Sequence, residues 1–464
     1  MLPAVFIGMR KEIFSIKKEK MKRSYHAKQG DIDMQIVIVG AGKVGHTVAA
    51  QLTQEGHSIT IIEKNSDTLN AVLSDIDVAG FWGSGVNGDI LKEANVGKAD
   101  LFIALTGNDE QNLLSCLIAK RMGAKNTVAR VREPHFGKVL PTIAGTMGLS
   151  LSINPEKEAA LEAARILELP LAKKVETFAG GRVEMIDYDV DETSPICGQS
   201  IKSVFRGTRA ALVCAVERNG QVIIPAGDFS FQAGDVMSIV APAGKLSDFF
   251  REAGFKRQKR KIRKVIVSGG GKTGYYLAKQ LLAQQIRVLI IEQNPAVAHT
   301  LAEMLPEAEI IIGDGTSQSV LLENGIEQAD AFCCLTGIDE ENILTSLYCK
   351  HISKTIKTVT KINRTELIPV VKPLGIGSVV SPKLIAADRV VSYVRAVQNG
   401  VGSGVLTMYR IVDNQAEAIE FQVSQNSKLV DVQIKDLLLR SDVILACINR
   451  RGRIISPRGN DTLK

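Results

Sequence analysis

Two six-residue glycine turns, far apart in this 464-residue chain, contain the residue types needed to bind a phosphate. The turns are Gly40-Ala41-Gly42-Lys43-Val44-Gly45 and Gly269-Gly270-Gly271-Lys272-Thr273-Gly274. In each turn the first glycine permits a tight bend, the second lets the backbone approach a phosphate, and the third lets a helix pack on a strand. One such turn is weak evidence, whereas two in matched surroundings predict a chain built around two dinucleotide-type sites.

Each turn is followed, at the same spacing, by a carboxylate: Glu63 in the first copy and Glu292 in the second. A carboxylate at this place accepts hydrogen bonds from ribose hydroxyls and repels a 2′-phosphate, which favours NAD(H), ATP or ADP over NADP. The segment Gly271-Lys272-Thr273 resembles the end of an NTPase P-loop, but Ile266 stands where that motif needs a glycine. Glycine turns that bind no ligand remain the alternative, chiefly for the second copy, because duplicated halves often lose one ligand.

The elements that must hold these residues can be read on both sides of each turn. Short β-branched runs, 34–39 and 265–268, end at the turns, and helix-forming sequence follows. A phosphate would then lie at a helix N-terminus, where unpaired N–H groups and the positive end of the helix dipole attract an anion. The pattern predicts one Rossmann half in each part of the chain.

The duplication continues beyond the turns. Gly83-Ser84-Gly85 corresponds to Gly313-Asp314-Gly315, and the segment 99–110 corresponds to 329–340. Each long segment is predicted to be a strand that ends in a Thr-Gly turn, formed by Thr106-Gly107 and by Thr336-Gly337. Because ligands lie at the carboxyl ends of parallel strands, these four residues are expected to border the nucleotide. The alternative for the two threonines is a purely structural role as helix N-caps.

A second repeated unit follows each Rossmann half. The segment 212–225 corresponds to 444–457, and both contain two short β runs around a glycine turn, which is typical of a hairpin. The predicted fold class is α/β, with two Rossmann-like doubly wound parallel sheets, each followed by a small α+β domain. The predicted boundaries are 1–33 for a basic, disordered N-terminal extension, 34–155 and 262–385 for the Rossmann domains, and 172–254 and 400–464 for the small domains.

The second small domain is expected to be incomplete. In the first, residues 236–240 are predicted to form a closing strand, and a helix is predicted to follow it through Phe249. The second reaches Lys464 before the equivalents of that strand and helix. An unpaired strand edge and an uncovered apolar face reduce stability. We therefore expect 400–464 to be the least stable part of the chain and to exchange its amide hydrogens faster than 172–254.

These motifs together resemble a known family. A Rossmann half with the sequence Ala-Asp-x-Phe and then Leu-Thr-Gly-x-Asp-Glu-x-Asn, followed by a small β-rich domain, is similar to the regulator-of-potassium-conductance module. Two such modules in tandem, from Met34 onward, resemble the TrkA-type peripheral subunits of the Trk potassium uptake system. The resemblance implies that the Rossmann parts bind NAD(H) or adenine nucleotides. It also implies a ring that gates a membrane-embedded potassium channel or transporter subunit from the cytoplasmic face of the inner membrane.

The resemblance assigns nucleotide contacts by position. In the first half these are Gly40, Ala41, Gly42, Lys43, Val44, Gly45, Glu63, Ser84, Thr106, Gly107 and Arg130. In the second half they are Gly269, Gly270, Gly271, Lys272, Thr273, Gly274, Glu292, Asp314, Thr336 and Gly337. Two departures leave open whether both halves bind the same nucleotide: Ser84 replaces the acid seen at Asp314, and Lys361 stands near the place of Arg130.

Composition narrows the class of protein. No apolar run reaches the roughly 18 residues that a transmembrane helix needs, so a role in potassium transport would be peripheral. The 7 cysteines form no C-x-x-C pair, which indicates reduced core residues of a cytosolic protein, and the 6 histidines do not cluster, so no metal site is expected. The duplicated halves are expected to pack as a pseudo-dimer and to associate further into a homo-oligomer, a tetramer of four chains.

Basic residues concentrate in the segments 1–33 and 256–264. Members of the family that the chain resembles begin near Met34. Residues 1–33 are therefore expected to result from an upstream start codon or to form a disordered tail. The functional alternative is that these residues form a basic arm that contacts anionic lipid. The segment 256–264 is predicted to be a solvated linker. Nucleic-acid binding is the weaker alternative, because no aromatic residues lie between its basic residues to stack on bases.

Two functions from different classes fit a nucleotide fold. One is a regulatory subunit in which nucleotide binding reorients the Rossmann halves, and the other is an NAD-dependent oxidoreductase. A dehydrogenase needs an acid or base beside the nicotinamide, and no His or Lys constellation recurs after either Rossmann half. We therefore predict a regulatory subunit without catalytic residues.

Overall fold

The computed structural model describes residues 2–9, 34–168, 174–178, 182–205, 211–255, 262–399, 405–411, 415–423, 427, 429–437, 439, 442–450 and 453–463. Residues 10–33 and 256–261, which carry most of the two basic segments, lie outside the described residues. The chain divides into two compact units. One unit contains both parallel sheets, and the other contains both antiparallel sheets together with strand β1, Leu2–Met9.

The first Rossmann half is a six-stranded parallel sheet. Its elements are β2 Gln35–Val39, α1 Lys43–Gln54, β3 Ser58–Glu63, α2 Ser66–Asp75, β4 Ala79–Trp82, α3 Gly88–Glu93, β5 Leu101–Ala104, α4 Asp109–Met122, β6 Asn126–Arg130, α5 Phe136–Ile143, β7 Leu151–Ile153 and α6 Pro155–Glu168. The strand order is β4-β3-β2-β5-β6-β7. Because the order reverses between β2 and β5, a crevice forms at their carboxyl ends.

The second Rossmann half repeats this arrangement. Its elements are β13 Lys264–Ser268, α9 Lys272–Ala283, β14 Arg287–Glu292, α10 Pro295–Met304, β15 Glu309–Ile312, α11 Gln318–Glu323, β16 Ala331–Cys334, α12 Asp339–Ile352, β17 Lys357–Lys361, α13 Ile368–Val371, β18 Ser378–Val380 and α14 Pro382–Asn399. The strand order is β15-β14-β13-β16-β17-β18, again parallel throughout. In both halves the central strands are buried on both faces, as their continuous apolar sequences require.

The first small domain is a five-stranded antiparallel sheet. Its elements are β8 Lys174–Phe178, β9 Val183–Asp189, α7 Ile201–Val204, β10 Leu212–Arg218, β11 Gln221–Ile223, β12 Val236–Pro242 and α8 Leu246–Glu252. The strand order β11-β10-β12-β9-β8 places β12 in the middle. Phe231, Phe249 and Phe250 are buried and pack as a group of ring contacts with the aromatic residues around them. These sheets and helices confirm the predicted fold class.

The second small sheet is completed by the N-terminus of the chain. It contains β19 Val405–Ile411, β20 Ala416–Val423, β21 Val443–Arg450 and β22 Arg453–Ile455, with β1 between β20 and β21. Strand β1 is antiparallel to both neighbours, and its ladder with β21 shifts register between Val5 and Phe6. In the first small sheet β12 is also antiparallel to both neighbours, and its ladder with β10 shifts register as well. Strand β1 therefore stands where β12 stands.

Two expectations are corrected by this strand. The prediction that residues 1–33 are disordered is wrong for Leu2–Met9, which form a central strand. The prediction that the second small domain lacks its closing strand is also wrong, because β1 fills that position from the other end of the sequence. The equivalent strand of the first small domain, β12, lies downstream of its hairpin, whereas β1 precedes both Rossmann halves in the chain. An unpaired edge is therefore no longer a reason for residues 400–464 to exchange faster than 172–254.

The two small sheets share a core. Buried Val183, Cys214 and Ala215 of the first sheet form one cluster with Ala418 and Cys447 of the second. Small side chains on the second sheet let the two backbones approach closely, and the burial of apolar area stabilises both sheets together. A separate apolar cluster, which includes Leu445, Ile448 and Leu463, covers the other side of the second sheet.

Candidate nucleotide-binding site

A cavity of about 420 Å³ opens at the carboxyl ends of the first parallel sheet. Of the residues predicted for this half, it is lined by Gly40, Gly42, Lys43, Val44, Glu63, Ser84, Thr106, Gly107 and Arg130. Ala41 and Gly45 belong to the turn but do not line the cavity. Lys64, Thr68 and Gln111 add polar groups that the sequence analysis did not predict. Predicted residues that are far apart in the sequence thus line one cavity.

Each of the three glycines in the first turn is needed for a different structural reason. Gly40 has φ +96°, a conformation that favours glycine, and it backs onto the chain at Leu105 and Thr106. A Cβ on Gly45 would overlap the carbonyl oxygen of Gly40, so this position needs close helix packing. Gly42 instead faces open space, with no atom within 4 Å of a Cβ placed there. That space, at the start of α1, is where a pyrophosphate could approach.

The start of α1 offers donors to an anion. Gly42 is the N-cap residue, with extended backbone and no side-chain cap, so the first N–H groups of the helix have no side-chain acceptor. The first turn of the helix itself contains no acidic residue that would oppose an anion at the positive end of the helix dipole. Lys43 lines the cavity at this end. Among the described residues no carboxylate lies within ion-pair distance of its ammonium group.

The carboxylate of Glu63 accepts a hydrogen bond from the backbone of the first glycine turn. Its Oε2 accepts a hydrogen bond from the N–H of Ala41 at 2.7 Å, and its Oε1 accepts one from the N–H of Asn65 at 2.9 Å. Glu292 repeats both contacts, with Gly270 at 2.7 Å and Asn294 at 2.8 Å. Each carboxylate therefore fixes its glycine turn and still has lone pairs for ribose hydroxyls. The position of the carboxylate in the sequence predicts only its role toward ribose.

The Thr-Gly turns are anchored by a buried asparagine. The Oδ1 atom of Asn112 accepts hydrogen bonds from the N–H of Thr106 at 2.9 Å and from its hydroxyl at 2.7 Å. Its Nδ2 donates to the carbonyls of Thr106 and Arg130. Asn342 makes the same four contacts with Thr336 and Lys361. The threonine hydroxyls are thus committed to the protein, and the backbone at Thr106 and Gly107 is what borders the cavity.

Neither threonine is a helix N-cap. Asn108 caps α4 through its side chain, and Ile338 stands at the corresponding position of α12 without a side-chain cap. The threonine hydroxyls therefore make structural contacts, as the alternative expected, but the shortest of these contacts are with asparagine side chains and neither hydroxyl caps a helix. The signal for it was present in the sequence, because Asn112 and Asn342 recur at the same place in the two repeats.

Arg130 carries an unsatisfied donor toward this site. Its guanidinium donates to the carbonyl of Thr106, while its buried Nε has no hydrogen-bond partner in the described part of the chain. Burial, and next the positive charge of Arg132, lower the pKa of Arg130 below its ordinary value. The guanidinium is partly buried, and burial disfavours its charged form, so an anionic ligand would stabilise it. The residues of this site therefore fit a nucleotide phosphate.

The second half brings its predicted residues together in the same way. Gly269, with φ +99°, backs onto Leu335 and Thr336, and a Cβ on Gly274 would overlap the carbonyl oxygen of Gly269. The polar groups differ, however. Asp314 is occupied by the N–H and hydroxyl of Thr316, and the ammonium of Lys361 donates to the carbonyl of Leu335 at 2.8 Å. Burial lowers the pKa of Lys361. Its position is thus equivalent to that of Arg130, and burial disfavours the charge of both side chains.

The family of the chain follows from its match to two domain families. The TrkA-N domain family matches residues 36–155 and 265–382, and the TrkA-C domain family matches residues 185–254. The chain belongs to the TrkA family. It is 33% identical over 431 residues to the "Trk system potassium uptake protein TrkA homolog" of Archaeoglobus fulgidus, which covers 93% of this chain and 95% of that protein. This confirms the family that the sequence motifs resembled.

Other TrkA proteins and solved structures agree with this assignment. The "Trk system potassium uptake protein TrkA" of Halomonas elongata is 30% identical over 426 residues, 91% of this chain and 92% of that protein. The solved structure "GsuK channel bound to NAD" has a TM-score of 0.63 and 17% identity, and covers 94% of this chain and 75% of that chain. "Crystal Structure of the GsuK RCK domain" has the same TM-score and covers 94% and 91%. At this identity the likeness is one of fold.

Other classes of site receive no support from the described residues. They contain no group of three or more His, Cys, Asp or Glu side chains placed to hold a metal ion. Within the same ranges, every helix is too short or too polar to span a lipid bilayer. Burial raises the pKa of the Cys116, Cys334 and Cys349 thiols to about 12, so these cysteines are protonated core residues.

Proposed function

We propose that this TrkA protein is a cytosolic, peripheral subunit that binds NAD(H) or ATP/ADP and thereby regulates a membrane-embedded potassium channel or transporter subunit. The observation that carries the proposal is the cavity of the first half, where a carboxylate suited to ribose, an uncapped helix start and the guanidinium of Arg130, whose Nε has no partner among the described residues, converge. The relatives are named as potassium uptake proteins, and none of those reported above is named as an oxidoreductase.

The nature of the ligand is supported by fold relatives. Solved structures with the same fold are described as the GsuK channel bound to NAD and as GsuK bound to ADP. In this chain the carboxylate of Glu63 disfavours a 2′-phosphate, so NADP is expected to bind more weakly than NAD(H). Calorimetric titration with NAD, NADH, ATP, ADP and NADP tests the proposal. Steady oxidation of NADH with candidate substrates would instead favour the oxidoreductase.

Replacement of Glu63 gives a site-specific prediction. Glu63→Ala is expected to weaken NADH binding by about tenfold, because unpaired ribose hydroxyls and a loosened turn cost ~1–3 kcal/mol. The matched control is Glu292→Ala, which removes the same two backbone contacts from the other turn. It should leave the tightest binding step unchanged. Identical isotherms for the wild type and Glu63→Ala would remove Glu63 from the site.

Assembly into a ring is proposed from a repeated exposed surface. Leu114 and Val139 of the first half are 47% and 51% exposed, and the equivalent Leu344 and Val370 of the second half are 66% and 65% exposed. Large apolar side chains exposed at corresponding places in both halves suit contacts between copies of the chain. The proposed assembly is a homotetramer.

The corresponding prediction concerns mass in solution. Leu344→Asp is expected to reduce the assembly measured by sedimentation, because a charge would be buried between subunits. Leu322→Asp is the control, since Leu322 is an exposed leucine of the same half on another helix. A wild-type protein that sediments only as a monomer of 50.2 kDa at micromolar concentration would contradict the proposal.

A further inference from the structure

The second glycine turn is joined to the first Rossmann half by direct contacts. Lys272, the first residue of α9, forms an ion pair with the carboxylate of Glu133. One turn further along α9, the hydroxyl of Tyr276 donates to the carbonyl of Arg132 at 3.1 Å and accepts from Nδ2 of Asn154 at 3.1 Å. The start of α9, where a phosphate would bind in the second half, is therefore attached to a short segment that begins at Arg130 in the first site.

The residue of the second half that is equivalent to Glu133 carries the opposite charge. Asp109 accepts hydrogen bonds from the N–H groups of Arg132 and Glu133, and Asp339 accepts them from those of Asn363 and Arg364. Glu133 and Arg364 thus occupy equivalent positions. Arg364 is a cation and pairs with Glu340 at 2.6 Å. Among the described residues, only the lysine of the second turn therefore has an acid beside it.

The two turn lysines are consequently in different electrostatic states. Lys43 lines the first cavity and has no carboxylate within ion-pair distance among the described residues. Lys272 stands at the same place in the second turn, but its charge is compensated by Glu133. A nucleotide phosphate at the second turn would have to displace this carboxylate and would be repelled by it. Phosphate binding and the contact between the halves therefore compete for Lys272.

We propose that Glu133 determines which half binds nucleotide: it makes the second site the weak one and confines tight binding to the first. The inference rests on the proposed function, because it assumes that nucleotide phosphates bind at the glycine turns. Occupation of the second site requires the Lys272 and Glu133 contact to open. By linkage, a second nucleotide then disturbs the segment that carries Arg130, so the two sites oppose each other.

The test is calorimetric titration of the full chain with NADH, in the wild type and in Glu133→Gln. The wild type should show one tight step and a second step at least about tenfold weaker, and Glu133→Gln should tighten the second step about fivefold to tenfold, as expected for a partly exposed ion pair plus removed repulsion. Glu307→Gln, which removes an exposed carboxylate elsewhere in the second half, should behave as the wild type. The contacts of Tyr276 remain in Glu133→Gln, and a thermal melt checks that the fold does too.

Two further variants assign the steps. Glu292→Ala in the Glu133→Gln background should remove the weaker step, and Glu63→Ala should weaken the tighter one. Two steps of equal affinity in the wild type, or an unchanged second step in Glu133→Gln, would overturn this inference and leave the proposed function standing. A wild-type chain that binds no nucleotide would overturn the proposed function and this inference with it.

Discussion

Deletion of residues 2–9 is expected to unfold the second small sheet while both Rossmann sheets stay folded. Strand β1 pairs over its whole length with β20 and from Ala4 to Gly8 with β21. Without it, the sheet falls into the two-stranded pieces β19-β20 and β21-β22, and such pieces are marginally stable at best. Each lost backbone hydrogen bond contributes about 1 kcal/mol, so loss of two ladders exceeds ~3 kcal/mol.

Hydrogen exchange measures this effect by region. Protection in 405–455 should fall by about a hundredfold or more, whereas protection in 35–39 and 264–268 should be retained. Protection of the first small sheet should fall partly, because the two small sheets share a core. Unchanged protection in 405–455 would show that β1 is not needed for this sheet.

A point substitution separates the strand from the rest of the N-terminus. Ile7→Pro places a proline at a residue of β1 that is paired with both β20 and β21, away from the register shift, and should reproduce the deletion because proline cannot donate to either ladder. Ile7→Val keeps the N–H and the β-branched shape and should behave much as the wild type. A synthetic peptide of residues 2–9, added to the deletion variant, should restore protection in 405–455.

Gly42→Val is expected to abolish nucleotide binding in the first half without loss of stability. The N-cap residue has φ −64° and ψ −177°, which valine adopts readily, and a Cβ there meets no atom within 4 Å. The side chain would instead occupy the space through which a pyrophosphate approaches the start of α1. Calorimetry should show loss of the tight step, and the thermal melt should match that of the wild type.

Two glycine controls make this result specific. Gly45→Ala should destabilise the fold by about 1–3 kcal/mol, because its Cβ would overlap the carbonyl oxygen of Gly40. Gly271→Val places the same side chain in the second turn and should leave the tight step intact. Tight NADH binding by folded Gly42→Val would mean that the pyrophosphate does not lie at this turn.

The parts of the molecule that the sequence predicted are those encoded by local pattern. Glycine turns, apolar strands and a carboxylate at fixed spacing define each Rossmann half, because strand, turn and helix follow one another directly in the chain. The repeat added a second copy of every motif, which predicted that Glu63 and Thr106 lie at one edge of the sheet, where both line the cavity. These relationships need no knowledge of distant partners.

The two largest missed features depend on partners far apart in sequence. The apolar character of residues 2–7 was visible, but nothing local shows that a strand pairs with β20 and β21. The ion pair of Glu133 with Lys272 likewise joins residues that belong to different repeats. Side-chain pairing across repeats depends on how the halves pack, and packing is decided by the whole apolar surface rather than by one motif.

The position of β1 also constrains how the protein can fold during synthesis. Its partners β20 and β21 begin at Ala416 and Val443, so the strand leaves the ribosome long before either of them. At ~5–20 residues per second, roughly 20 to 90 s separate β1 from its partners. During this interval β1 has neither of its neighbours, and the two Rossmann halves are completed first. Closure of the second small sheet therefore cannot precede the synthesis of β21, which follows both Rossmann halves in the chain.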